Sequence, residues 1–378
     1  MVNKIKKKIL INTSNLHNGG GVQVAISFIY ELSYMSDIDL SYIHVVASDE
    51  VNHGLTRLNT KLNSFGSYEV FNTYGLQAIK SILNKRIKRY HVVFTVFGPN
   101  YLRVKAKKEI VGFAQPWMLN FDNPISQTMS FFSRNILRTK FSVQWLFFLR
   151  ADHYIVELEH VKEALVAKKS IDSDKVIVVH NTVSSLYLDK SLWKSIYFTK
   201  NENELSLGIV TRDYPHKNLD ILPLVAQQLE LHHSLKVRFY TTLNEIEWSL
   251  RNDEFKKYVS TVGSLSPDEC PSFYEQIDGV VFPSLLECFS ATPLEAMVME
   301  KPLFASDRGF VRDVCGSHAM YFNPLDANSV ADHIANYFKS NLDRTAQLQQ
   351  ARNHALNFSS AKGRAEQYLE ITQQHLES

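Results

Sequence analysis

Cysteine is scarce. Three of 378 residues, Cys270, Cys288 and Cys315, carry a thiol, an odd number with no C-x-x-C pair. That excludes a disulfide scaffold and a cysteine-rich zinc site, and a reducing compartment is the simpler setting. Glycine (14) and proline (11) are too few for a collagen-like or low-complexity chain. Apolar runs are short. Those around 91–97 and 141–149 fall well below the ~18 residues of a membrane-spanning helix. Met1–Lys8 is basic, but only Ile9–Ile11 follow before polar Asn12 and Thr13, so no signal-peptide h-region is expected. The rest is ordinary globular composition, 45% hydrophobic and 21% charged. This excludes disorder for most of the chain, and at roughly 150 residues per domain the length predicts two domains, or three.

A net charge of +2 hides an asymmetry. Residues 1–180 hold 23 basic and 14 acidic side chains, and residues 181–378 hold 18 and 25. The basic groups concentrate in Lys4–Lys8, Lys80–Arg89, Arg103–Lys108 and Arg134–Arg150. A basic half suits an anionic partner, although solvated surface lysines are the plainer alternative. No DNA- or RNA-binding motif accompanies them, so nucleic acid is not expected as a partner.

Short β-branched runs alternate with helical periods, the pattern of a doubly wound, parallel α/β fold. Strands are expected at Lys8–Thr13, Tyr42–Ala47, Glu69–Asn72, Val92–Phe97, Glu109–Ala114, Tyr154–Val156 and Val176–Val179. Helices are expected at Val22–Tyr34, Leu76–Arg89, Ile125–Arg150 and His160–Ala167. The alternation lapses in a polar, aromatic stretch and restarts with strands at Leu207–Val210, Val237–Tyr240, Val259–Val262, Gly279–Phe282, Leu303–Ala305 and Met320–Phe322. Helices of this half are expected at Leu219–Leu231, Asp268–Gln276, Thr292–Met299 and Ser329–Phe338, with a helical tail over 343–376. The expected division is 1–183, a linker at 184–204, a second domain at 205–358, and a C-terminal helix at 359–378 packing back on the first domain. In such sheets ligands sit beyond the carboxyl ends of strands.

Three constellations fall at such ends. Asn18-Gly19-Gly20-Gly21 joins the first strand to the first helix. Its glycines permit close backbone approach, and the helix start favours an anion. It lacks the G-x-G-x-x-G spacing, and a structural tight turn is the alternative. Thr211–Asn218 follows the first strand of the second half, with Arg212 and Lys217 on either side of Pro215. A forked guanidinium and a point-charge ammonium together suit a diphosphate. After the strand ending at Phe282, Glu287 and Glu295 lie eight apart, flanking Phe289-Ser290-Ala291-Thr292-Pro293. Pro293 marks a helix start. The backbone N–H groups of about Phe289–Thr292 would form an anion nest between two carboxylates that accept hydrogen bonds from sugar diols.

Arg212 and Lys217 followed by Glu287-x7-Glu295 resemble the retaining glycosyltransferases of the fourth sequence family, also called group 1. The resemblance covers nearly the whole chain. It includes Asn18–Gly21, Val156–Leu165, Val178-Val179-His180-Asn181, Phe282-Pro283-Ser284 and Pro302-Leu303-Phe304-Ala305. It implies a GT-B fold, two Rossmann-like domains facing a cleft, the first on the acceptor side and the second binding the nucleotide sugar. Catalytic roles fall on Arg212, Lys217 and Glu287. The two cations would hold and neutralise the departing diphosphate, and Glu287 would contact the transferred sugar. Donor contacts fall on Gly20, Gly21, Gly263, Phe289, Ser290, Ala291 and Glu295, with Glu295 on the ribose. The resemblance implies no metal and no cofactor. The nucleotide-diphosphate sugar is the donor substrate, and Asp37-Ile38-Asp39, literally D-x-D, sits among polar residues past a helix.

Two departures from the family stand out. Where many members carry a histidine, this chain reads Phe113-Ala114-Gln115-Pro116-Trp117, and Gln115 cannot act as a base. The usual E-G-F-G is Glu287-Cys288-Phe289-Ser290. Residues 125–150 interleave Phe131, Phe132, Phe141, Trp145, Phe147 and Phe148 with Arg134, Arg138, Lys140 and Arg150. On a helix that suits an anionic membrane surface, and a core helix with a basic outer face is the alternative. The expected setting is cytoplasmic, peripheral on the inner face of the cytoplasmic membrane, in bacterial surface-polysaccharide or O-antigen assembly. The acceptor would be a saccharide, with an undecaprenyl-diphosphate-linked form among those the resemblance allows. A nucleotide-sugar epimerase of the same shape and a non-catalytic scaffold are the competing readings.

Overall fold

The computed structural model describes residues 7–86, 90–103 and 106–377. The basic clusters expected at Lys4–Lys8, Lys80–Arg89 and Arg103–Lys108 therefore lie partly outside the described residues.

The chain forms two compact units. The first comprises residues 1–121, 129–181 and 359–378. Its seven strands are β1 (Ile9–Thr13), β2 (Ile43–Ala47), β3 (Ser67–Val70), β4 (Val92–Thr95), β5 (Lys108–Gly112), β6 (His153–Val156) and β7 (Val176–Val178). They pair in the order β3-β2-β1-β4-β5-β6-β7, all parallel. The second comprises residues 122–128 and 182–358. Its six strands are β8 (Leu205–Ile209), β9 (Val237–Thr241), β10 (Val259–Thr261), β11 (Gly279–Phe282), β12 (Leu303–Ser306) and β13 (Met320–Phe322). Their order is β10-β9-β8-β11-β12-β13, again parallel. The central strands are buried along their length, as β1 and β11 show. Helices cover both faces of such sheets, so the strands read as continuous apolar runs and were legible on that ground.

In each sheet the order reverses beside the first strand, between β1 and β4 and between β8 and β11. In open α/β sheets ligands bind outside the carboxyl ends of the strands at such switch points.

Several expected helices end early. Of the one helix expected over 76–89, residues 87–89 lie outside the described residues, and the rest is a 3-10 turn Gly75–Lys80 and a short helix Leu83–Arg86. Ser81 between them is extended, and its Oγ accepts from the Leu83 N–H at 3.1 Å. The stretch 125–150 likewise splits into Pro124–Thr128 and Phe131–Phe148, because Ser130 is extended and caps Ser133. In both places a serine hydroxyl competes with the helical bond. The sequence reading passed over helices at Asp49–Arg57, Glu245–Ser249, Asp253–Tyr258 and Gly309–Cys315.

Two long-range attachments matter below. The segment 182–199 has only two 3-10 turns, yet it is fastened to the second unit. The Lys194 N–H donates to Asp268 O (2.8 Å) and the Ile196 N–H to Ser272 Oγ (3.1 Å). In the first unit, helix Ala361–Glu377 packs Tyr368 edge-on against Phe28 and Phe94. Its buried Arg364 hydrogen-bonds Ser27 Oγ (2.8 Å) and Asn181 Oδ1, and Asn181 Nδ2 donates to Glu157 Oε1 (2.7 Å). Burial pushes the Glu157 carboxyl up to about 7.

Candidate active site

The second unit brings Arg212, Lys217, Glu287 and Glu295 onto the carboxyl edge of its sheet. Beyond β8, Thr211 is fixed by Thr242, which follows β9. One hydroxyl, Thr242 Oγ1, accepts the Thr211 N–H and donates to Thr211 O, both at 2.9 Å. Arg212 then leaves the sheet with its side chain 52% exposed, and its Nε donates to Glu247 Oε1 at 2.8 Å. A 3-10 turn at Pro215–Lys217 and left-handed Asn218 (φ 57°) reverse the chain. That reversal points Lys217 back toward β11.

Beyond β11, Glu287 Oε1 accepts from Lys217 Nζ at 2.7 Å and from Ser284 Oγ at 2.6 Å. The pair sits at the β8–β11 switch point with side chains 15% and 11% exposed. Both donors use one oxygen. Among the described residues Oε2 has no donor, so it is available to a ligand hydroxyl. The two cations are thus held by different carboxylates on the two sides of the β8 loop: Glu247 follows β9 and Glu287 follows β11. Burial lowers His216, which stacks on Tyr214, so its imidazole is neutral at neutral pH and the ammonium beside it is the local positive charge.

Glu295 lies in helix Thr292–Val298, which has Pro293 in its first turn. Its Oε2 accepts from Tyr274 Oη at 2.9 Å, and the Tyr187 phenol, whose ring centroid lies 6.0 Å from that of Tyr274, is near enough to the same carboxylate to pull its pKa down. Burial raises the Glu295 carboxyl, while the two phenols and Lys217 pull it down. Both phenols are pushed far up, by burial first and then by the Glu295 charge, so each remains a donor. Ser290 is buried, and Phe289 and Ala291 are partly buried. Among the described residues the N–H groups of Phe289, Ser290 and Ala291 have no protein acceptor. Gly263 follows β10 with φ +81°, and a side chain there would meet open space.

Gly20 and Gly21 belong to the first unit, where they open helix Gly20–Ser33 at the β1–β4 switch point. A Cβ on Gly21 would come to 3.3 Å from the Phe97 ring. The glycine that the backbone itself requires is Gly19, at φ 74° and ψ −162°. The sequence reading did not single it out. Gln115 is the N-cap of helix Pro116–Leu119. Asp37 and Asp39 bond the neighbouring Ser36 and Ser41. Among the described residues no cluster of three or more His, Cys, Asp or Glu could hold a metal ion. Cys288 and Cys315 are buried and Cys270 is partly buried, all as free thiols.

Helix Phe131–Phe148 divides its aromatic groups. Phe148 is buried and packs on Phe113, Trp145 stacks on Tyr154, Phe147 meets Tyr101, and Phe141 stacks on Trp117. Phe131, Phe132, Ile136 and Leu146 face outward, at 84, 75, 55 and 62% exposure. Of the six interleaved aromatics, Phe131 and Phe132 are exposed, Phe148 is buried, and Phe141, Trp145 and Phe147 are partly buried against aromatic partners. Among the described residues no helix is long and apolar enough to cross a membrane.

Residues 196–354, within the second unit, match the family described as glycosyl transferases group 1. Over 191 residues the chain is 26% identical to the O-antigen chain mannosyltransferase RfbU of Salmonella typhimurium, covering 50% of this chain and 51% of that protein. Over 198 residues it is 25% identical to the serotype-specific mannosyltransferase WbdA of Escherichia coli, covering 48% of this chain and 24% of that one. The matches thus span about half of the first relative and about a quarter of the second. The fold is that of a glycosyltransferase from Rickettsia africae (TM-score 0.69, 16% identity, 98% and 99% of the two chains covered). It is equally that of Anabaena HepE solved with UDP-glucose (TM-score 0.70, 15% identity, 97% and 99% covered). With its two parallel sheets the chain has the GT-B fold.

Proposed function

We propose that this protein transfers a hexose from a nucleotide-diphosphate sugar to a saccharide acceptor, with retention of anomeric configuration and without a metal. The observation that carries the reading is the Lys217–Glu287 pair at the β8–β11 switch point, with Arg212 and Glu295 on the same sheet edge. In this reading Lys217 and Arg212 oppose the charge that builds on the departing diphosphate. Removing either would cost about 2.7–4 kcal/mol of transition-state stabilisation if it acts like the loss of an oxyanion-hole donor. The Oε2 of Glu287 accepts from sugar hydroxyls, and Glu295, set by the Tyr274 phenol, accepts from the ribose. The Phe289–Ala291 amides face the donor phosphates. Gln115 supplies no base, so the leaving phosphate takes the acceptor's proton.

The acceptor is lipid-linked in this reading, and the setting is O-antigen or related polysaccharide assembly at a membrane. The O-antigen mannosyltransferase relative supports the setting, and makes mannose the first sugar to test. The exposed Phe131/Phe132/Ile136/Leu146 face, beside Arg138 and Lys140, supports contact with an anionic headgroup layer. The test supplies radiolabelled GDP-mannose or UDP-glucose together with undecaprenyl-diphosphate-linked saccharide. Label passing into the lipid phase supports the proposal. Free sugar or an epimerised nucleotide sugar, with no labelled lipid, would overturn it.

A further inference from the structure

Resting on the reading of Arg212 as a diphosphate ligand, the geometry points to Glu247 as the residue that positions it. Glu247 comes from a different segment, the helix Glu245–Ser249 beyond β9, and its carboxylate accepts from backbone N–H groups of both segments. Oε1 accepts the Arg212 Nε–H (2.8 Å) and the Asp213 N–H (3.2 Å), and Oε2 accepts the Asn244 N–H (3.0 Å). Its own N–H donates to Asn244 Oδ1 (2.8 Å), closing a capping box. Burial pushes the Glu247 carboxyl up, but the Arg212 hydrogen bond and the backbone donors outweigh it, so it lies below the ordinary value and stays ionised. The exposures differ in the way an anchor requires: 17% for Glu247 and 52% for Arg212.

Arg212 uses Nε alone. Among the described residues its two Nη groups have no partner, so the fork can close on an arriving anion. The next residue repeats the arrangement: the Asp213 carboxylate pairs with Arg251, whose other Nη pairs with Asp220. Two successive side chains of the β8 loop are therefore each gripped by the 244–251 segment. A long side chain fixed before binding loses less freedom on binding. An exposed ion pair by itself would add little to stability.

A double-mutant cycle tests this, using titration calorimetry with UDP and GDP on wild type, Arg212→Ala, Glu247→Gln and the double variant. Arg212→Ala should weaken the nucleoside diphosphate that binds. Glu247→Gln should weaken it about tenfold by itself and add nothing in the Arg212→Ala background. Affinity for uridine or guanosine should not change, because the effect passes through phosphate. Asn244→Ala removes the helix cap but leaves the Glu247–Arg212 bond, and should bind as wild type does. If Arg212→Ala weakens binding while Glu247→Gln is neutral or tightens it, the positioning role falls and the reading of Arg212 stands. An equal loss in both backgrounds, or a loss copied by Asn244→Ala, would make Glu247 a structural residue. If Arg212→Ala changes nothing, the reading beneath the inference falls first.

Discussion

Replacing Lys217 by methionine should cost both stability and turnover, and the two costs should separate in a second variant. The ammonium and the Glu287 carboxylate are 2.7 Å apart with side chains 15% and 11% exposed. At an effective dielectric of about 20 their gross attraction is roughly 6 kcal/mol. The observable cost is smaller. Stripping one partner from a buried pair costs about 3–5 kcal/mol, and partial exposure brings this pair to about 2–3. At roughly 2–4 °C per kcal/mol for a unit of this size, Lys217→Met should lower Tm by about 4–12 °C. Glu287→Gln in that background removes the orphaned charge while an amide can keep the Ser284 bond, so most of the stability should return. Turnover should not return, because the cation facing the diphosphate is still missing. Differential scanning calorimetry and nucleotide-release kinetics on wild type, Lys217→Met, Glu287→Gln and the double variant read both quantities. An unchanged Tm in Lys217→Met would refute the pair, and recovery of turnover in the double variant would refute its catalytic assignment.

Three further outcomes are expected. Glu295→Ala should weaken nucleoside diphosphate binding about tenfold or more and Tyr274→Phe by less, since the phenol only sets the carboxylate; calorimetry on both checks the order. Gly19→Ala should cost about 1–3 kcal/mol, because an L-residue at φ 74° and ψ −162° is strained although space is open, and urea denaturation measures it. For Glu157, held at about 7 by burial, the native protein binds more protons than the unfolded chain between about pH 4.5 and 7. Its contribution to stability therefore falls as pH rises through that window, by up to roughly 3 kcal/mol, and Glu157→Gln should flatten that part of the pH–stability curve.

The central parallel strands were legible because a strand buried on both faces is a continuous apolar run; edge strand β3, with no buried residue, forms at Ser67–Val70, two residues before the expected Glu69–Asn72. Glu287 and Glu295 were legible together because their eight-residue spacing spans one strand end, one loop and one helix start. Their partners were not. Tyr187 and Tyr274 reach Glu295 from a 3-10 turn and from another helix, and nothing in their local spacing marks them. Glu247 is an intermediate case: Asn244-x-x-Glu247 is a capping-box pattern in plain sight, but its reach to Arg212 appears only once β8 and β9 are neighbours. The helices expected over 76–89 and 125–150 are each interrupted for one reason. Ser81 and Ser130 sit in otherwise helical stretches, and hydrophobic periodicity is blind to a hydroxyl that bonds its own backbone.

A nucleotide-sugar site on the carboxyl edge of the second sheet should make the fold more resistant to heat when its ligand is bound. Thermal denaturation of the purified protein against UDP, GDP, UDP-glucose and GDP-mannose measures this. A ligand present at 100 times its dissociation constant stabilises by about 2.7 kcal/mol, which should raise the melting temperature by several degrees for one nucleotide series, and a tenfold weaker site in Glu295→Ala should cut that shift to about half or less. No shift with any of the four, or an equal shift in Glu295→Ala, would contradict the account.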